Sequence, residues 1–437
     1  MKRILSAALV VVMVMSLAAC GQGQGEDDIM NMQEAKTAAL IDAAWAAEYE
    51  NADSSTYYSE LENLQNVTEQ VQNLSMELFR AGMTEGENGM VSPVSILMAM
   101  AMVENGTAGE SLKQMEGAFG CDVQSLSSWL KAWSGSLRTS EDTRVNVANS
   151  FWFRDSENLH VKDEYLKTVG SQLGAKAYKS AFSQGTVNDM NRWCDENTYG
   201  MIKKIVESLS PQDMAVILNA TAFEGIWQNP YEEFQIAENE IFYKEDGTEE
   251  KASMMHSRES MYIEGSNVTG FSKPYKDGYS FVALLPAEGT SASELISQLD
   301  GENWRKLMSS ARNEKVNAVI PEFTSAYRVD NLVSIFDSMG IRDIFSPASA
   351  DLSAMAELEG GQPLFVSGIV HKTFIEVNRK GTRAAAVTGI KVGATAFKPE
   401  KIYDVRLDRP FVYAIVDDVT KVPMFIGTTM SVASEAE

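Results

Sequence analysis

Histidine and cysteine, which often serve as catalytic bases and nucleophiles, are few in this chain and lie outside any recognised catalytic motif. Among 437 residues there are three histidines and three cysteines. No G-x-S-x-G nucleophile elbow and no H-E-x-x-H zinc motif occurs in the sequence. His371 lies inside the apolar run FVSGIVHKTFIEV, and a role for it as a catalytic base is improbable. The lack of a nucleophile motif argues against an exported lipoprotein hydrolase, which is one alternative for this chain.

A second group of polar residues is informative because it lies in apolar surroundings. Asn219 interrupts MAVILNATAF, Asn149 interrupts VANSFWF, and Ser92 and Ser95 lie at the start of SPVSILMAMAMV. This last run predicts a helix that is apolar nearly all round and therefore buried, with Ser92 able to cap its N-terminus. A buried polar group without a partner costs a few kcal/mol, so these side chains and His371 should bond to one another. The alternative is that backbone or water satisfies each one separately.

The segment 377–399, VNRKGTRAAAVTGIKVGATAFKP, is a long connection between two strand-like runs. Connections of this length inside a compact domain are usually functional or disordered. If the segment is an extended strand, in which side chains alternate between two faces, the side chains on one face are uncharged, whereas Arg383 and Lys391 lie on the other face. This alternation is typical of a strand with one buried side. The segment is therefore a candidate switch between an exposed loop and a strand.

The run EVNRKGTRAAAVT and the later DRPF resemble the hinge and reactive loop of the serpins, the serine protease inhibitors. The resemblance extends from about residue 66 to residue 432. It implies an α+β fold with a large, mostly antiparallel central sheet, packed helices, further strands and an exposed reactive-centre loop at about 379–404. It also implies suicide-substrate inhibition, in which the cleaved loop inserts into the sheet with the protease attached. The resemblance further implies no catalytic residue, no metal site and no cofactor. The alternative function is a non-inhibitory binding protein that is cleaved as a simple substrate.

The resemblance also assigns roles to residues of this chain. The polar group above corresponds to the shutter, beneath the part of the sheet that opens: Ser92, Ser95, Asn149, Asn219 and His371. The hinge corresponds to Gly381, Thr382, Arg383, Ala384, Ala385, Ala386, Val387 and Thr388. All of these except Arg383 are small or uncharged, which suits entry into a packed sheet, and Arg383 points outward by the alternation described above. The breach, where the loop enters, corresponds to Gly225, Trp227, Glu322 and Arg379. A lone tryptophan such as Trp227 is otherwise more often plain core.

The breach departs from the family in two places. Serpins usually carry a glutamate where Arg379 stands and a lysine where Glu322 stands. Because both signs are reversed together, we predict that Glu322 and Arg379 still form a pair. The alternative is two unrelated surface charges. A partly exposed pair is worth about 0–1 kcal/mol, so its expected role is to tune how readily the sheet opens.

Counting the family spacing from Gly381 places the scissile bond at Thr395–Ala396, within a few residues. The small residues around it suit the shallow pocket of elastase-like enzymes, and some subtilisin-like proteases would accept them. Lys391 and Lys398 are the trypsin-like alternatives.

The N-terminus has the pattern of an export signal. Lys2 and Arg3 precede an apolar run from Ile4 to Leu17, too short to be a confident spanning helix. The following Ala-Ala-Cys-Gly resembles a bacterial lipobox, which implies a signal peptide over 1–19 (the leader) and a lipidated Cys20. The alternative is an ordinary signal peptide with an incidental cysteine. We expect a tether over 20–65, a serpin domain over 66–437 and anchoring on the outer face of a bacterial membrane.

Composition is consistent with one large, soluble, acidic domain that we expect to be monomeric. The apolar fraction is 44%, and the formal charge of −24 becomes −26 when Lys2 and Arg3 are removed. This charge argues against nucleic acid or anionic headgroups as partners. Two cysteines remain in the domain, Cys121 and Cys194; a disulfide between them is possible, but two free buried thiols are favoured.

Overall fold

The computed structural model describes residues 6–17, 39–41, 54–380 and 401–433. These residues form an α+β fold, which confirms the predicted class. The α-helices are α1 (Ser54–Asn63), α2 (Gln65–Gly82), α3 (Pro93–Glu104), α4 (Gly109–Phe119), α5 (Val123–Ser136), α6 (Asp163–Leu173), α7 (Gln184–Asn197), α8 (Ala292–Gln298), α9 (Gly301–Ser310) and α10 (Leu332–Ser338). Single 3₁₀ turns occur at Glu233–Gln235, Lys276–Gly278 and Asp343–Phe345.

Eighteen strands lie within the described ranges. They are β1 (Ser6–Leu17), β2 (Ala39–Ile41), β3 (Gly89–Val91), β4 (Thr143–Arg154), β5 (Leu159–Val161), β6 (Ala175–Ser180), β7 (Asp213–Gly225), β8 (Ile236–Tyr243), β9 (Glu249–Glu264), β10 (Val268–Pro274), β11 (Tyr279–Pro286), β12 (Arg312–Pro321), β13 (Phe323–Val329), β14 (Ala356–Leu358), β15 (Leu364–Val377), β16 (Ile402–Arg406), β17 (Phe411–Asp417) and β18 (Pro423–Thr429).

The strands form three sheets. The central sheet has the order β13-β15-β1-β7-β4-β6-β2, and all of its neighbours are antiparallel except the pair β4 and β6. A second sheet has the order β16-β12-β9-β10-β11-β17-β18-β3, with β8 paired to β9 outside this path. The third sheet contains only β14 and β5. The loop whose hinge was predicted above leaves the central sheet at β15 and returns in the second sheet at β16.

Strand β7 is buried along its whole length, as its continuous apolar sequence predicted. Ile217 packs in the main core, which also contains helix α3, whereas Leu218 packs in a separate cluster with Cys194 and other residues of α7. Because adjacent strand residues point to opposite faces, the central sheet is covered on both sides. Helix α3 is buried on every side, as expected for a helix that is apolar nearly all round.

Two elements differ from the sequence-based expectation. Residues 54–63, counted there with the tether, form helix α1, which buries Tyr57 and Leu61, and the Tyr58 hydroxyl donates to the carbonyl of Ser136. The sequence NRWCDENTYGMIKKIV, residues 191–206, predicts an amphipathic helix, but the helix in the structure begins earlier, at Gln184, and ends at Asn197. The Thr198 hydroxyl binds the Cys194 carbonyl, and Gly200 has a φ of 85°, so the chain leaves the helix there.

Cys121 and Cys194 are free thiols, as favoured from the sequence, although Cys121 is only half-buried. Burial raises the pKa of the Cys121 thiol to about 12 and that of Cys194 further. Neither thiol is therefore activated as a nucleophile. Within the described ranges no helix is long and apolar enough to cross a membrane.

Candidate functional site: the insertion slot and its hinge

The central feature of the site is the space between β7 and β15, here called the insertion slot. Strand β1 fills it and is antiparallel to both neighbours, with the register Val11 opposite His371 on one side and Asn219 on the other. Ser6 and Ala7 lie at the end of the slot marked by Glu224 and Ile375, and Leu17 reaches Leu364 at the far end. The slot thus holds a complete strand of 12 residues.

The described residues that lead into the loop lie at the Glu224 end of this slot. Strand β15 ends at Val377, and Asn378, Arg379 and Lys380 follow it directly. A segment that folds back from Lys380 into the slot would run antiparallel to β15, in the same direction as β1. The hinge residues Gly381 to Thr388 and the predicted scissile bond Thr395–Ala396 lie outside the described residues, as do Lys391 and Lys398.

The predicted shutter residues meet beneath the slot. The Asn219 amide donates to Asn149 Oδ1 at 2.7 Å, and Ser95 Oγ donates to Asn219 Oδ1. Asn149 Nδ2 in turn donates to the carbonyl of Leu173 at 2.6 Å. Ser95, Asn219 and Asn149 therefore bond to one another, as predicted. The alternative, in which backbone or water satisfies each residue separately, is wrong for these three.

Ser92 and His371 form a second contact in the shutter. The backbone N–H of Ser92 donates to His371 Nε2 at 3.3 Å, and both residues are fully buried. Ser92 begins α3, but its hydroxyl does not cap the helix, contrary to the sequence-based expectation. Ser92 Oγ and His371 Nδ1 have no hydrogen-bond partner among the described residues. Burial lowers the pKa of His371 to about 3, so the imidazole is neutral at physiological pH.

The breach is built around Trp227, which is fully buried. Its ring stacks on Tyr275 with centroids 4.2 Å apart, and its Nε1 donates to the carbonyl of Asn378 at 3.0 Å. A Cβ at Gly225 would lie 2.6 Å from the Phe223 ring and 3.0 Å from Tyr275, so glycine is required by close approach. The tryptophan thus holds the backbone from which the loop departs.

Glu322 and Arg379 form the predicted ion pair with their signs reversed relative to the family. Arg379 Nε and Nη2 donate to the two Glu322 oxygens at 2.9 and 2.8 Å, and the Arg379 backbone N–H donates to Oε1 at 2.9 Å. Glu233 and Glu238 contact the same guanidinium at 3.2 and 3.1 Å. The hydrogen bonds to Glu322 raise the pKa of Arg379 above its usual range. The pair is part of a network of one cation and three carboxylates, which sequence reasoning did not anticipate.

Sequence reasoning also missed a buried ion pair behind the breach. Lys273 Nζ lies 2.7 Å from Glu259 Oε1, and both side chains are at most 5% exposed. The ammonium also lies 4.4 Å from the Tyr231 ring centroid and 5.3 Å from that of Trp227. Burial lowers the pKa of Lys273. The available signal was the period of two in β10, which places Lys273 on the same face as the buried Phe271.

A second missed residue is Glu104, the last residue of α3. It is 1% exposed, and neither carboxyl oxygen has a hydrogen-bond partner within the described part of the chain. Burial raises the pKa of Glu104 to about 8, and the negative charges of Glu116 and Asp122 contribute to the same shift. The signal in the sequence was a single glutamate at the end of a helix that is otherwise apolar on all sides.

Comparison with known proteins gives a consistent result. The chain matches the family model described as Serpin (serine protease inhibitor) over residues 69–432. It is 32% identical to the serine protease inhibitor of Cyanea capillata over 78% of this chain and 91% of that protein.

The fold resembles the crystal structure of the thermophilic serpin tengpin in the native state. The TM-score is 0.76 and the identity 35%, over 87% of this chain and 95% of that chain. Thyroxine-binding globulin, solved in complex with thyroxine, has the same fold at 20% identity and a TM-score of 0.72, over 85% of this chain and all of that chain. That last likeness concerns the fold alone.

Proposed function

Because this chain belongs to the serpin family, whose members are protease inhibitors and not enzymes, we propose that it traps serine proteases by inserting its cleaved reactive loop into the insertion slot. The observation that carries the proposal is the slot itself. It accommodates a strand of 12 residues antiparallel to β15, the direction in which a loop leaving Lys380 would enter. At about 3.3 Å per residue, such a strand extends about 40 Å, enough to carry an attached protease to the opposite end of the sheet.

The energetics favour an irreversible step. A strand in the slot pairs with a neighbour on each side, and each new ladder hydrogen bond contributes about 1 kcal/mol net. Burial of apolar side chains against the main core adds about 25 cal/mol per Å². Insertion of the cleaved loop therefore releases free energy and makes the step effectively irreversible.

The proposed targets are elastase-like or subtilisin-like proteases that cleave at Thr395–Ala396. Gly393, Ala394, Thr395 and Ala396 are all small, and small residues fit a shallow specificity pocket. A trypsin-like target would require cleavage after Lys391 or Lys398. Identifying the bond that is cut distinguishes these possibilities.

We propose that the ion-pair network around Arg379 in the breach controls entry of the loop into the slot. Arg379 lies two residues before Gly381, the first residue of the hinge, and is bound to Glu322, Glu233 and Glu238. For the loop to enter, the backbone after Asn378 must turn into the sheet, which requires at least part of this network to break. Its strength therefore sets how readily the intact loop inserts.

We also propose that the protein is exported and anchored by lipid. The support is the sequence Leu17-Ala18-Ala19-Cys20-Gly21, which follows an uncharged apolar run. Cys20 lies outside the described residues. Metabolic labelling with a fatty-acid analogue in a bacterial host, with Cys20→Ala as the control, tests this directly. Label on both proteins, or on neither, contradicts lipidation at Cys20.

The function is tested with the protein after removal of residues 1–19. It is mixed with pancreatic elastase, and the products are separated on a denaturing gel. Trapping predicts a covalent complex of the protease with the inhibitor, and mass spectrometry of the released C-terminal peptide locates the cleaved bond. Clean cleavage with full recovery of protease activity would instead support the non-inhibitory binding protein.

A further inference from the structure

The insertion slot is occupied in the full chain by residues 6–17, which belong to the predicted leader. Eleven register pairs join β1 to β15, and eleven join it to β7. The ladders extend from Ala7 opposite Ile375 down to Leu17 opposite Leu364, and from Ser6 opposite Glu224 down to Ser16 opposite Asp213. No length of the slot between these residues remains for a second strand.

The position of Met13 shows that this strand is integrated into the core. Its side chain is fully buried and belongs to the same core as the residues of helix α3. It lies opposite Ile369 on one side and Ile217 on the other. In an antiparallel sheet, residues directly opposite share a face and pack against one another. Withdrawal of β1 would leave a gap between these two isoleucines.

The sequence of β1 suits the slot better than the loop does. SAALVVVMVMSL is uncharged and rich in valine, a residue with high β propensity. The loop segment 382–395, TRAAAVTGIKVGAT, carries Arg383 and Lys391 and contains two glycines. A membrane-directed leader and a buried strand are selected for the same property, an uncharged apolar run, so one sequence can serve in both.

We propose that residues 6–17 are a built-in occupant of the slot that keeps the unprocessed chain from inserting its reactive loop, so that removal of the leader creates the active inhibitor. This rests on the proposed function, because blocking matters only if loop insertion is the inhibitory step. The producing cell would then contain an inhibitor that cannot act on its own proteases before export.

The first measurement is hydrogen exchange on the full chain, made in a cell-free system so that the leader is retained. Paired amides of residues 6–17 should exchange at least about 100-fold more slowly than in a free peptide of the same sequence. Met13→Asp places a charge in the core and should abolish this protection. Met13→Leu, which conserves volume, should retain it. Val12→Pro removes a backbone donor and provides a second disrupting variant.

The second measurement is uptake of a synthetic peptide with the sequence of residues 382–395, followed by native mass spectrometry. The wild-type full chain and Met13→Leu should not bind the peptide, whereas Met13→Asp and Val12→Pro should bind one copy. Rapid exchange of residues 6–17 in the wild type overturns the proposal. So does retained protection in both disrupting variants, or equal peptide uptake by wild type and variants.

The two proposals fail in different ways. Peptide uptake and exchange do not involve a protease, so they decide whether the leader occupies the slot. If they behave as expected but the processed protein is cleaved by elastase without a covalent complex, the proposed inhibitory function is wrong and occupation of the slot by the leader is supported.

Discussion

Glu104 gives the most direct quantitative prediction, because its carboxyl group is buried without a partner. Its pKa is raised from the usual 4.5 to about 8 in the folded protein. Between these values the unfolded chain releases the proton and the folded chain keeps it. The free energy of unfolding must therefore fall as pH rises from about 4.5 to about 8, and this contribution is constant on either side.

The size of the effect follows from the same numbers. One pKa unit corresponds to 1.36 kcal/mol, so the loss accumulates to about 3 kcal/mol at pH 7 and to about 5 kcal/mol above pH 8. Glu104→Gln removes the charge and keeps the shape of the side chain. The variant should match the wild type in stability near pH 4.5 and exceed it increasingly at higher pH.

The assay is thermal and urea unfolding of the protein without residues 1–19 at pH 5, 7 and 9. Glu164→Gln, an exposed change on α6, is the matched control and should leave the pH dependence unaltered. The difference between Glu104→Gln and wild type should grow steadily across this range. If the two pH profiles superpose from pH 5 to pH 9, the carboxyl group is not held protonated by burial and the reasoning is refuted.

Three further predictions concern the breach and the shutter. Arg379→Glu places four carboxylates together at the breach, so it should lower the melting temperature and increase polymers on native gels. Glu322→Arg should have a smaller effect, because Arg379 can still pair with Glu233 and Glu238. The double variant, with both charges exchanged, should behave like the wild type. If both single variants behave like the wild type, the network does not control opening of the central sheet. Lys273→Met strands a buried carboxylate and should cost about 3–5 kcal/mol in urea unfolding, most of which Lys273→Met combined with Glu259→Met should recover; a double variant as unstable as the single one contradicts this. His371 has a pKa of about 3, below its usual 6.5, so its contribution to stability is present above pH 6.5 and falls by about 2 kcal/mol at pH 5; His371→Asn should lack this acid-dependent loss, and an equal loss in both proteins would contradict the assignment.

The fold and the polar network could be predicted because their signals are local in the sequence. Asn219 and Asn149 each interrupt an apolar run, and a buried amide must find a partner, so their meeting followed from the cost of leaving them unpaired. The pair of Glu322 and Arg379 followed from a double departure from the family pattern. The first inference rests on each residue and its immediate surroundings, whereas the second rests on the resemblance to the family.

The unpredicted features depend on alternatives that sequence alone does not rank. An uncharged run from Ile4 to Leu17 satisfies the requirements of a leader and of a buried strand equally, so its place in the sheet could not be inferred. The partners of Lys273 lie on β9 and in the segment after β7, and only the tertiary fold brings them together. The side chain of Ser92 was expected to cap α3, but the backbone N–H binds His371 instead.

The direction of the strands has a consequence for the central sheet when β1 is absent. Since β7 and β15 both run antiparallel to β1, they run parallel to each other, and closing the gap would place a parallel pair in a largely antiparallel sheet. A parallel pair is slightly less stable per residue than an antiparallel pair. One ladder of hydrogen bonds, between β7 and β15, would also replace the two ladders that β1 forms with them. An extended, uncharged segment between β7 and β15 therefore stabilises the sheet, as residues 6–17 do here, and the same would hold for the cleaved loop of this chain or for the loop of a neighbouring copy.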